Sequence, residues 1–331
     1  MQIPGLKKTD LKNTPNLVQL PTGGNGLWKT GHDGVVAIFT MLDKKADFIV
    51  YKDKTLVYIH SAMGYPAVYE LTDDVFEGPA QYVLMDLDGT SVHSEAFWIW
   101  IIEQTTAALL GNPNFTLEPA DEPFVSGHSV SEHLQYCIRK YCPDKNVEEA
   151  RKHYFRITTH EMNEILKGRG RENAFTPTPG LKDFLLELKA RNIKIGLVTS
   201  GLHEKAWPEI LSAFRTLKMG DPLDFYDCII TAGFPLKKGQ AGTLGELSPK
   251  PHPWLYAETA RVGLGVPPEK RHKVIGLEDS SAGVLSIRLA GFSAIGLGGG
   301  NIEQSGAKPL LRHYGNNLEN ILPVILGKNQ F

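Results

Sequence analysis

From residue 82 onward the chain is built of short apolar runs, each the length of one buried strand: YVLMD (82–86), KIGLVT (194–199), CII (228–230), KVIGLED (273–279) and AIGLG (294–298). Between them, GLKDFLLELKARN (180–192), residues 203–216, PWLYAETARVG (253–263) and AGVLSIRLAG (282–291) repeat apolar residues three or four apart, as amphipathic helices do. Runs without inside–outside alternation need cover on both faces, and a parallel sheet wrapped by helices supplies it. One interval breaks the pattern. More than a hundred residues separate the first two runs, with helical periodicity through 95–110, 129–141 and 147–167. That is too long for a crossover. It reads as an inserted helical domain closed by the Pro-rich return TPTPG (176–180).

Upstream, the texture differs. GVVAIFTML, ADFIVY, KTLVYIH and AVYELT, between 34 and 72, favour strand, and KDK makes a hairpin turn between the middle two. This is a small antiparallel unit without recognisable chemistry. Residues 1–26, rich in Pro, Gly, Asn and Lys, read as extended or weakly ordered. PTGGNGLWKTGHDG (21–34) lacks the Gly-Lys-Ser/Thr ending of a phosphate loop and reads as an ordinary loop.

Bulk properties remove several function classes. A formal net charge of −2, with basic residues clustered only in pairs, gives no footprint for nucleic acid or an anionic membrane. The greasiest run, AFWIWII (96–102), is far too short to span a bilayer, and the start lacks a secretory apolar core. Cys137, Cys142 and Cys228 form neither a CxxC nor a His/Cys cluster, which fits a reducing compartment and places the chain in the cytoplasm.

In open parallel sheets, functional groups gather at the carboxyl ends of the strands. Asp86 and Asp88 follow the first run, Thr199-Ser200 the second and Glu278-Asp279 the fourth, while Lys250 precedes the helix leading into that fourth strand. Brought together, they give four acids, a hydroxyl and an ammonium in one crevice. Such a cluster is costly without a divalent cation, and its oxygen donors suit Mg²⁺. Metal, lysine and hydroxyl together describe a holder for a phosphoryl group. One carboxylate can attack phosphorus, and a second can give a proton to the leaving oxygen and then activate water. The bland readings are local: Asp and Gly as turn residues, Glu278-Asp279 as a cap for a helix starting near Ser281, and Lys250 as a solvated lysine.

DLDGT, LVTSG, PKP and GLEDSSAG, in that order, resemble the four motifs of the haloacid dehalogenase superfamily. The helical insertion resembles the α-helical cap of its β-phosphoglucomutase-like and phosphoglycolate-phosphatase-like branch. The likeness covers roughly 82–300, about two thirds of the chain. It implies a Rossmann-like α/β core (81–94 and 177–331), an α-helical cap (95–176) and an added N-terminal extension (1–80), β-rich from about 34. By that resemblance Asp86 is the nucleophile and also a metal ligand. Asp88 is the general acid/base, with its main-chain carbonyl on the metal. Thr199 binds the phosphoryl oxygens and Lys250 neutralises the nucleophile and the transferring group. Asp279 ligates Mg²⁺, and Glu278 does so directly or through water.

Ser200 and Gly201 follow as substrate contacts. In the cap, FVSGHSVSEHL (124–134) resembles the specificity loop, with His128 its candidate contact and His133 structural. Ser91 and His93 stand where relatives carry an aliphatic and an acid, and read as tolerated changes beside the cap hinge or, alternatively, as substrate contacts from that hinge.

The expected activity is Mg²⁺-dependent hydrolysis of a small phosphomonoester, sugar phosphates among the candidates. A phosphomutase is the alternative, although Val130 stands where sugar phosphomutases carry arginine. Dehalogenases lack the second aspartate that Asp88 supplies. A non-catalytic scaffold remains the rival from another class, with the extension as interaction module, sheet-edge cover or oligomer contact.

Overall fold

The computed structural model of the chain describes residues 3–6, 17–20, 24–60, 66–121, 125, 130–231, 234–235 and 248–328. Two compact units emerge: Met1–Ser91, Thr178–His203 and Gly220–Phe331 form one, and Val92–Pro177 with Glu204–Met219 the other.

The first unit holds two sheets. Strands β1 (Leu17–Gln19), β2 (Ala37–Met41), β3 (Ala46–Val50), β4 (Thr55–Ile59) and β5 (Ala67–Glu70) form an antiparallel meander in sequence order. Their two-residue period sorts the side chains. Ala37, Phe39, Met41, Ala46, Phe48, Val50, Val57 and Ile59 join one large apolar cluster, whereas Ile38 and Ile49 face the other way, into a small cluster with Trp28 and Tyr58.

The second sheet has seven strands. With β6 (Tyr82–Asp86), β9 (Lys194–Thr199), β10 (Cys228–Thr231), β11 (Phe234–Pro235), β12 (Val274–Glu278), β13 (Ser293–Leu297) and β14 (His313–Gly315), the order is β11-β10-β9-β6-β12-β13-β14. Every neighbouring pair is parallel except β10 and β11. All five apolar runs are strands. The sixth parallel strand, β14, is a tripeptide that apolar patterning does not mark.

Helices α4 (Leu181–Ala190), α6 (Trp254–Glu258) and α7 (Ser281–Leu289) lie where periodicity places them, and α6 continues as a wider turn over Thr259–Gly263. Leu255 and Tyr256 of α6 and Val284, Leu285 and Ile287 of α7 belong to the same cluster as the inner face of the antiparallel sheet. The N-terminal extension is therefore packed into the α/β core. Ile3 and Leu6, expected in a weakly ordered segment, are buried there too, at 2% and 6% exposure. Isolated apolar residues among polar ones carry no period that would announce this.

The second unit contains α1 (Glu95–Leu110), α2 (Val130–Tyr141) and α3 (Val147–Leu166), which pack on one another. Two-residue strands β7 (Val92–His93) and β8 (Thr176–Pro177) pair at its base. Most of α5 (His203–Leu217) belongs to this unit: the Arg215 guanidinium donates to the Ile165 and Leu166 carbonyls, 2.9 Å each, and Lys205 Nζ lies 4.3 Å from the Trp98 ring centroid. Asp121, fully buried, accepts from Tyr136, Lys140, Tyr141 and the Glu118 amide. Among the described residues no helix is long and apolar enough to cross a membrane.

Candidate functional site

Asp86 ends the middle strand of the seven, with Thr199 ending β9 on one side and Glu278 ending β12 on the other. Because these three strands are parallel, all three side chains emerge at one edge. The ladder runs one residue further, as the Leu87 amide donates to the Val198 carbonyl at 3.2 Å. The chain then folds back. Ser91 Oγ donates to the Asp86 carbonyl at 2.5 Å, and Thr178 caps the Thr90 carbonyl at 2.8 Å. Ser91 thus ties off the strand end.

Gly89 sits in this loop at φ +80°, and a Cβ there would lie 2.1 Å from Asp279 Oδ2. Both the backbone conformation and the space demand glycine. Gly300 faces the same carboxylate from the other side, where a Cβ would come within 2.5 Å of Oδ2. The Asp279 carboxylate thus lies in a cradle cleared by two glycines, with Thr90 Oγ1 donating to Oδ1 at 3.3 Å.

Lys250 closes the cluster. Its Nζ contacts Asp86 Oδ1 and lies 2.6 Å from Glu278 Oε1. Glu278 is fully buried and receives three more donors: Tyr256 OH at 2.8 Å on Oε1, and the Ser280 hydroxyl and amide at 2.9 and 3.1 Å on Oε2. Its lone-pair positions are thereby filled.

Asp88 stands apart from the buried trio. It is exposed, and its Oδ2 accepts from the Thr199 hydroxyl at 3.0 Å. Thr199 Oγ1 in turn accepts from the Gly201 amide at 2.9 Å, and Ser200 Oγ accepts from the Lys250 amide at 3.3 Å.

Carboxylate oxygens of Asp86, Glu278 and Asp279 lie within 4.8 Å of one another. Such crowding out of water shows in the protonation equilibria. Burial pushes the Asp86 carboxyl well above its usual range, the charges of Glu278, Asp279 and Asp88 push the same way, and only Lys250 opposes them. Asp279 is pushed up to about 7, by burial first and then by Glu278. For Lys250 burial works against the charge, but Asp86 and Glu278 outweigh it and keep the ammonium protonated beyond the ordinary lysine value. One ammonium is too little positive charge for three buried carboxylates. A hard, small divalent cation is the complement that an all-oxygen donor set selects.

Asp86, Asp88, Thr199, Ser200, Gly201, Lys250, Glu278 and Asp279 all lie at this sheet edge or the loops leaving it. His93 is exposed on β7, His133 is buried on α2, and His128 lies outside the described residues. Sequence reading missed Tyr256 as a partner of Glu278, because nothing local marks a tyrosine six residues past Lys250. Thr90 and Ser280 were within reach, as each lies inside a quoted motif.

A family model described as haloacid dehalogenase-like hydrolase matches residues 80–291. A search of curated proteins finds no significant match. Among solved structures, CbbY from Rhodobacter sphaeroides in complex with phosphate is similar at 19% identity and TM-score 0.51, covering 73% of this chain and 96% of its own. A variant of CbbY, similar at 18% identity, is in complex with xylulose-(1,5)bisphosphate. A family IA, variant 3 hydrolase from Entamoeba histolytica is 18% identical at TM-score 0.53, covering 75% and 97% of the two chains. A protein from Haemophilus somnus described as a predicted phosphoglycolate phosphatase is 17% identical at TM-score 0.54, covering 75% and 98%. At these identities the likeness is one of fold.

Proposed function

The chain belongs to the haloacid dehalogenase-like hydrolases, and from that premise we propose that it is a Mg²⁺-dependent phosphatase of small phosphomonoesters, working through an aspartyl-phosphate on Asp86. The observation that carries this reading is the buried contact of Lys250 with both Asp86 and Glu278, beside Asp279, at the carboxyl edge of the parallel sheet.

The buried carboxylates and the glycine cradle around Asp279 fit a Mg²⁺ ion, which Asp86, Asp279 and the Asp88 main-chain carbonyl would hold. When bound, the ion neutralises charge on the cluster and on the phosphoryl oxygens. Glu278, its lone-pair positions filled by protein donors, anchors Lys250.

The Asp86 carboxylate attacks phosphorus as the ester oxygen departs, and that oxygen takes its proton from Asp88. Asp88, exposed and steered by the Thr199 hydroxyl, then accepts a proton from the water that attacks the aspartyl-phosphate. Inorganic phosphate leaves and Asp86 is regenerated. Lys250 offsets charge on Asp86 and on the transferring group throughout. Thr199, Ser200 and Gly201 line the phosphoryl side. Substrate choice is assigned to the inserted residues 95–176, His128 among them. Three buried cysteines, Cys137, Cys142 and Cys228, fit work in a reducing cytoplasm.

The sugar bisphosphate in the complex of the CbbY variant makes sugar phosphates the first esters to assay. Wild type and Asp86→Asn are compared on sugar phosphates, phosphoglycolate and nucleotides with Mg²⁺. Phosphate release by wild type, reduced by about a thousandfold or more in Asp86→Asn, is expected. A fully active Asp86→Asn protein sinks the mechanism. Conversion of β-glucose 1-phosphate to glucose 6-phosphate without phosphate release replaces hydrolysis by mutase chemistry.

A further inference from the structure

The antiparallel sheet reaches the turn that carries Lys250. Tyr69, on β5, places its hydroxyl 2.9 Å from His252 Nδ1, two residues past the lysine. The Tyr69 ring also meets the His252 ring edge-on at 5.9 Å and the Trp254 ring at 6.2 Å. His252 is 4% exposed and its buried Nε2 has no partner among the described residues, so among these the orientation of the ring rests on Tyr69.

The main chain of the same turn is held by the α/β core. The His252 amide donates to the Pro249 carbonyl at 3.1 Å, its carbonyl accepts from Ser286 Oγ at 2.6 Å, and the Lys250 amide donates to Ser200 Oγ at 3.3 Å. A second tie runs from the β2–β3 turn. Ser281 Oγ, at the start of α7 and two residues past Asp279, donates to Asp43 Oδ2 at 2.7 Å, and Lys45 Nζ lies 3.3 Å from it. The extension therefore grips both loops that bring charge to Asp86.

We propose that the N-terminal sheet is a working part of the active site, in which Tyr69 is a positioning residue for Lys250, acting through His252. The inference rests on Lys250 serving the reaction proposed above. An ammonium that must meet both Asp86 and a transferring group tolerates little displacement, and misplacement of even about 1 Å can cost up to about a hundredfold in rate. Loosening the turn should therefore lower kcat and leave KM nearly alone.

The test compares Tyr69→Phe with wild type on p-nitrophenyl phosphate with Mg²⁺, together with hydrogen exchange of the Lys250 and His252 amides, the turn's two prolines carrying none. A fall in kcat of about tenfold, with KM within about twofold and faster exchange in that turn alone, is expected. In a Lys250→Gln background, Tyr69→Phe should cost nothing further in kcat. An unchanged kcat in folded Tyr69→Phe, or the same fold loss in both backgrounds, overturns the proposal. If Tyr69→Phe folds poorly, His252→Asn, which keeps a polar atom near Nδ1, should retain the kcat that His252→Phe loses. Equal loss in both overturns it as well. Should wild type release no phosphate, the phosphatase reading falls, and exchange alone decides: unaltered protection of the Lys250 and His252 amides in Tyr69→Phe then refutes the positioning role.

Discussion

At the scale of single residues, the site is governed by how much negative charge is buried with one lysine. Asp279, pushed up to about 7, holds a proton in the folded, metal-free protein over a range where the unfolded chain has released it. The sign follows from that difference. A carboxyl whose folded pKa is raised makes the metal-free protein lose stability as pH climbs, for Asp279 from about 4 to about 7; above that Asp279's share of the loss is complete, and Asp86, also raised, adds its own. Mg²⁺ held by Asp279 as proposed would compete with the proton, so the rise in Tm on adding it should be small at about pH 5 and level off above about pH 7. Asp279→Asn should weaken both trends in a thermal-melt series, leaving the share that Asp86 contributes, and a Mg²⁺ response independent of pH would remove Asp279 from the proposed metal site. Most of these residues were legible in the sequence, because DLDGT, PKP and GLEDSSAG each place a charge where a strand ends or a helix begins. What Ser91 does was not. Its hydroxyl answers a carbonyl freed by the strand ending at Asp86, a demand that exists only once the loop has folded back.

Elements add a constraint that no motif carries. Helix α7 follows directly from the Glu278-Asp279 pair, and its Arg288 is 1% exposed. The guanidinium donates to the carbonyls of Phe292, Gly5 and Thr72, at 3.0, 2.9 and 2.8 Å. The guanidinium reaches these three carbonyls from two separate nitrogens of one planar fork, a spread that the single nitrogen of a lysine ammonium does not match. Arg288→Met should therefore destabilise the protein by about 2–4 kcal/mol in urea unfolding, because buried carbonyls lose their donors. Arg288→Lys should recover only part of that, and an unchanged midpoint for Arg288→Met would contradict this account. Strands read well wherever a run was apolar on both faces or alternated cleanly. The tripeptide β14 and strand β1, with one buried residue of three, lack enough side chains to show either period.

For the whole molecule, the antiparallel sheet and the α/β core share one apolar cluster, which joins Phe39, Met41, Phe48, Val50 and Ile59 to Tyr256, Val284 and Ile287. Half a dozen such side chains, at about 2 kcal/mol each, equal the net stability of a typical domain, about 5–15 kcal/mol. Removing residues 1–80 should therefore yield a chain without a cooperative thermal transition, followed by circular dichroism. A truncated protein that melts cooperatively near the wild-type Tm would show the sheet to be a detachable module. Taken alone, the order of residues determined the class of the core, the helical insertion and the chemical types at each strand end, because periodicity and turn chemistry act over a few neighbouring positions. Only the folded chain decided that Lys250 spans Asp86 and Glu278, that Tyr256 and Gly300 complete the pocket, and that Tyr69 and Asp43 reach the loops beside it. Those contacts join residues tens to hundreds of positions apart, and such pairings are set by strand order and side-chain packing, which leave no periodic trace along the sequence.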